Sequence, residues 1–251
     1  MRSLPDPRAT GLPDGCTISA RRAQHDRGKM ASTTASSDEG GSGAWDAVVR
    51  LGGSDGSIAH PYVARLRASA PAQRCLSDAV HALCDVYSRH PGLIDHALVR
   101  GVQPTSLRWL EAAARGFADE RAYLADLTAA VGPVPSTPGQ QVTESALAGI
   151  RHALAILAGS ERTGCATGAV AALVDDWSAI RRVLDSAAMR FGIVPPPAML
   201  PSSEASTAAL CPLGATPGTR RAIIFGAQQL YAQHRGLWSL LEARASARGD
   251  L

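Results

Sequence analysis

Three polar side chains interrupt apolar stripes at helical spacing, and they are where this chain could do chemistry. His234, in "QLYAQHRGLW" (229–238), falls between Leu230 and Leu237. Arg121 sits on the stripe of Leu110, Ala114, Phe117 and Leu124, and Asp176 lies at the edge of the Leu173/Ile180 stripe. An imidazole, a guanidinium and a carboxylate turned inward make either a binding pocket or a buried hydrogen-bond network. Burying any one of them alone is costly, so each needs a partner. The expected network pairs Arg121 with Asp176 or another carboxylate and hydrogen-bonds His234 to one member. The alternative is a pocket holding a metal or small organic ligand near His234 and Arg121.

Other constellations carry less. Ferritin-like centres use Glu-x-x-His pairs, which put both ligands on one helix face, and the chain has none. Glu144 and His152 are eight residues apart, roughly 80° around a helix. Both point away from the stripe of Leu147, Ile150, Leu154 and Leu157. His81 and Asp85 are spaced i, i+4 but also face outward, as a weak surface pair would. "GGSDG" (52–56) matches Gly-x-Ser-x-Gly with Ser54 as nucleophile, yet that elbow needs a preceding strand and a parallel sheet. A flexible linker accounts for it. Phosphate loops are excluded, because Lys29 is the sole lysine and no Gly-x-Gly-x-x-Gly occurs. The sequence therefore assigns no catalytic residue, no metal site and no cofactor.

The elements that must position these residues are helical from Pro61 onward, with no sustained period-2 alternation. Helices are expected at about 72–90, 105–131, 144–159, 166–191 and 219–247, the third starting after an N-cap at Thr143. A short helix in "WDAVVRL" (45–51) ends at "GGSDG", and Pro91 starts another short one that Gly101 closes. The proline-rich 192–218 reads as a surface crossover. The fold class is thus all-α, a bundle of about five or six helices spanning 45–251. It follows a disordered N-terminal segment, 1–44, whose Ser/Gly-rich end suggests a true start at Met30.

Composition agrees. Alanine is abundant and aromatics make up only 4%, which suits closely packed helices. No run approaches the roughly 18 apolar residues needed to cross a bilayer. The net charge of +3 lies wholly in residues 1–29, which hold six basic and three acidic side chains; from Met30 onward there are 19 of each. That removes the charge argument for nucleic-acid binding. Five scattered cysteines without a CxxC pair or secretory signal read as reduced thiols of a cytoplasmic protein.

The stretches "GPVPSTPGQQVTESALAGIRHAL", "DDWSAIRRVLDSAAMRFG" and "FGAQQLYAQHRGLWSLLEAR" resemble an uncharacterised family of small helical proteins from sphingomonad-type alphaproteobacteria, over roughly residues 60–247. The resemblance implies a domain of unknown function and carries over no catalytic residue. On the residues alone, the leading expectation is a non-enzymatic module that binds a protein partner or a second copy of itself, anchored by exposed Trp109 and Trp238. The competing expectation is a bundle enzyme or binding protein with its ligand near His234 and Arg121.

Overall fold

The segment 165–191 is apolar on nearly every side, so it cannot lie on a surface as an amphipathic helix and must be enclosed. It forms α7 (Cys165–Phe191), buried along most of its length from Cys165 to Ala188. The computed structural model describes residues 43–99 and 104–251. Around α7 stand α1 (Ala44–Asp55), α2 (Pro61–Leu66), α3 (Gln73–Tyr87), α4 (Leu93–Val99), α5 (Pro104–Val131), α6 (Gln140–Ala158), α8 (Ser203–Leu210) and α9 (Pro217–Arg248). Single 3₁₀ turns occupy Ser57–Ala59 and Leu213–Ala215. The chain is all-α, with no strand among the described residues. No described helix is long and apolar enough to cross a membrane. The expected disordered leader and the start at Met30 fall, as far as residue 42, outside the described residues.

Nine α-helices stand among the described residues where five or six were expected. The surplus comes from short pieces such as α2 and α8, six and eight residues long, which are too short to display a stripe. The long helices fall close to their expected places. Two boundaries differ for a physical reason. Helix α6 starts at Gln140 after left-handed Gly139 (φ 74°), and Thr143, expected as its cap, is instead buried inside it. Helix α1 runs through Gly52, Gly53, Ser54 and Asp55 before Gly56 ends it, so "GGSDG" is not a linker. A Cβ on Gly52 would lie 2.2 Å from Asp175 Oδ2 and 2.9 Å from the Tyr231 hydroxyl. The glycine there is a packing requirement.

Helices α7 and α9 share the largest helix–helix contact among the described residues. A Cβ on Gly168 would come within 2.1 Å of the Ile223 carbonyl oxygen, and one on Gly226 within 2.0 Å of the Cys165 carbonyl oxygen. Each helix thus presses backbone against backbone through a glycine of the other. The crossover 192–218 is strapped down rather than loose. Trp45 Nε1 donates to Ser203 Oγ (2.9 Å) and Trp109 Nε1 to Ser206 Oγ (3.0 Å).

The crossing yields a paired prediction. Gly226→Ala should destabilise the fold by about 1–3 kcal/mol or more, because the obstructing atoms are backbone. Gly236→Ala, on the exposed face of the same helix with nothing within 4 Å, should stabilise it by up to about 1 kcal/mol. Urea unfolding of the two variants measures both, and equal effects would refute the close crossing.

Candidate functional site

The turn after α1 and the middle of α9 both aim polar groups at one carboxylate of α7. Gly56 makes the turn possible, since a Cβ there would sit 2.6 Å from Asp176 Oδ1 and 2.5 Å from the Gly52 carbonyl oxygen. The next residue, Ser57, donates its N–H to Asp176 Oδ1 (2.7 Å) and its hydroxyl to Oδ2 (2.5 Å). Trp238 Nε1 donates to Ser57 Oγ (2.7 Å), which orients that hydroxyl toward the carboxylate. His234 Nδ1 completes the set on Asp176 Oδ2 (2.5 Å). With Nδ1 donating, Nε2 is left to accept, and it does so from the Tyr87 hydroxyl. Burial, reinforced by the charge of Asp176, pushes the Tyr87 phenol far above its ordinary range, so it remains a donor.

His234 therefore joins Asp176, as the inward stripes suggested, but Arg121 does not. Its Nη1 donates to Asp95 Oδ2 on α4 (3.1 Å), an oxygen that also accepts from the Gly92 N–H (2.8 Å). The expected Arg121–Asp176 pair is replaced because α5 turns a different face inward. Phe117, Glu120 and Leu124 are buried, while Arg121 lies at the margin. Trp109 and Trp238 are likewise not surface anchors; they are 5% and 0% exposed, each with its indole N–H bonded inside. His81 and Asp85 face separate partners, the Gly132 carbonyl oxygen (2.8 Å) and Arg151, and do not pair.

Two buried ionic groups escaped sequence reasoning. Glu120 accepts from Trp177 Nε1 (2.9 Å) and Arg181 Nη1 (2.6 Å). Burial still holds its carboxyl above the usual range. Asp78 receives Arg244 (3.1 Å) and Arg248, while Arg244 Nη1 also reaches Gln140 Oε1 (2.8 Å) and Thr143 Oγ1 (3.1 Å). Glu120 was visible in principle, because 113, 117, 120 and 124 keep helical spacing.

A cavity of about 270 Å³ opens where α3, α4, α5, α6 and α7 meet. Its apolar wall comes from Val86, Leu93, Ile94, Phe117, Leu154 and Leu173, with Tyr87 among them. Arg89, Arg121, Arg151, His96 and His152 line it too. Arg121 is held by Asp95, and its Cζ stands 5.6 Å from the Phe117 ring centroid. Arg151 pairs with Asp85. Arg89 is exposed and meets no carboxylate among the described residues. Neither His234 nor Asp176 lines the cavity; they stand behind Tyr87, whose ring packs edge-on against Phe117 (5.9 Å), Trp177 (5.3 Å) and His234 (5.7 Å). Among the described residues, no three of His, Cys, Asp and Glu converge as metal ligands would.

The sequence model of a family of unknown function, DUF6975, matches residues 52–249, and the chain belongs to that family. No curated protein and no solved structure matches it.

The Asp176 group can be tested by unfolding. Asp176→Ala strands three donors inside the protein and should cost about 3–5 kcal/mol, whereas Tyr87→Phe removes one bond and should cost about 1–3 kcal/mol. A smaller loss for the first than the second would contradict the network. Its neighbour Asp175 tests the pH dependence. Burial raises that carboxyl above its ordinary range; the Tyr231 hydroxyl bond opposes this and the Asp176 charge adds to it. A raised carboxyl supports the fold fully below the ordinary aspartate pKa of about 3.9, and that support is lost as pH rises through the folded-state value. Asp175→Asn should therefore gain stability relative to the parent as pH rises above about 4; a constant difference in urea midpoints would contradict it.

Proposed function

We propose that the protein is a non-enzymatic helical binding domain that takes a small organic anion in the cavity between α3, α4, α5 and α6. The observation that supports this reading is the convergence of Arg89, Arg121 and Arg151 on an apolar cavity, with only Asp95 and Asp85 to offset them. Concave apolar walls with a few convergent polar groups are the usual form of a ligand site. The volume corresponds to roughly nine water molecules, which suits a monocyclic or short-chain carboxylate. In this reading a carboxylate takes Arg89 and Arg121 as donors, since planar guanidinium forks match carboxylate oxygens. The hydrocarbon then lies against Phe117, Leu154 and Leu173. Tyr87 contributes its ring, because its hydroxyl is committed to His234.

Association with a protein partner or a second copy competes with this reading. Trp109 and Trp238 no longer support it; exposed Met189, Val194 and Met199 around the crossover do.

Calorimetric titration with octanoate and benzoate is the test. Either anion should bind and raise the melting temperature, and Arg89→Gln should weaken binding roughly tenfold, the equivalent of one charged hydrogen bond. Arg89 is exposed, so the variant should fold. Absence of binding by both anions, or undiminished binding to Arg89→Gln, would defeat the proposal.

A further inference from the structure

A second cavity, of about 520 Å³, lies along the seam between α3 and α6 and shares Arg151 with the first. Along both helices the residues of the two cavities follow one another. The second takes Asp78 to Ser88 from α3 and its C-terminal end, and Gln140 to Arg151 from α6. The first takes Val86 to Arg89 and then Arg151 to Ala155. Arg151 lines both, and its ion pair with Asp85 stands at the junction. That pair is partly exposed at both ends, 23% and 39%, and such pairs are weak, so the two side chains can part.

The two cavities differ in the charge they leave unbalanced. In the first, Asp95 and Asp85 offset Arg121 and Arg151, and Arg89 remains. In the second, Asp78 is engaged by Arg244 and Arg248, and Asp85 by Arg151. Glu144 remains there, contacted by the neutral amide of Gln140 (3.0 Å). Glu144 and Arg151 lie two helical turns apart on one face of α6, a rise of roughly 10 Å. Leu147 lies between them and lines the second cavity.

We infer that the two cavities form one groove for an elongated ω-amino carboxylate. Its carboxylate sits at Arg89 and Arg121, its chain runs over Leu147 and Leu154, and its ammonium lies at Glu144, with Asp85 released from Arg151 as a second acceptor. The inference rests on the anion-binding reading of the first cavity and adds the cationic end. It also explains why Arg151 stands in the middle: free of Asp85, its guanidinium can turn to the carboxylate end.

Calorimetry on the full chain compares octanoate, octylamine and terminal amino acids from aminohexanoate to aminoundecanoate. One chain length of the amino acids should bind about tenfold tighter than octanoate. Glu144→Gln, at an exposed position, should abolish that advantage while leaving octanoate binding unchanged. Equal affinity of octanoate and the best amino acid, or an advantage that survives in Glu144→Gln, overturns the inference while leaving the anion site intact. Absence of binding by every one of these compounds overturns both.

Discussion

The carboxylate of Asp176 is the point on which the architecture turns. It is buried in the central helix and accepts from the α1–α2 turn through Ser57 and from α9 through His234. Leaving it unpaired there would be prohibitive, so α1, α7 and α9 are held in register as long as its donors stay in place. The glycine contacts of Gly168 and Gly226 let α9 come near enough for His234 to reach it. Tyr87 extends the same chain of hydrogen bonds to the end of α3. One carboxylate thus ties together four helices that are far apart in sequence.

The position of the cavity follows from that tie. With the Tyr87 hydroxyl drawn inward to His234, its ring and those of Phe117 and Trp177 form an edge-to-face cluster, which closes the floor between α3, α5 and α7. Beyond Tyr87, α3 has ended, and the seven-residue α4 spans only about 10 Å. The seam with α6 therefore remains open there. Arginines from three elements reach its rim, and Asp95 of α4 fixes one of them against Phe117.

Much of this was legible in the sequence because long helices announce themselves by period. The stripes of α7 and α9 placed Asp176 and His234 inside, where they meet, and the stripe of α6 placed Glu144 and His152 outside. What was not legible depends on tertiary neighbours. Arg121 and Glu120 differ by one position, or about 100° on a helix, and a stripe including Ala114 favoured the wrong one. Its partner Asp95 sits on a helix too short to carry a period. Trp238 looked like an interface anchor because nothing local reveals that Ser57, far away in the chain, takes its indole N–H. "GGSDG" read as a linker because only the packing of Asp175 and Tyr231 shows why Gly52 belongs in a helix.

Arginine side-chain resonances followed during titration with octanoate test the binding account most directly. The account requires the Nε–Hε signals of Arg89, Arg121 and Arg151 to shift together and saturably. That of Arg181, sealed in its own ion pair, should stay still. Shifts spread evenly over the exposed arginines, or confined to residues away from the α3–α6 seam, would contradict it.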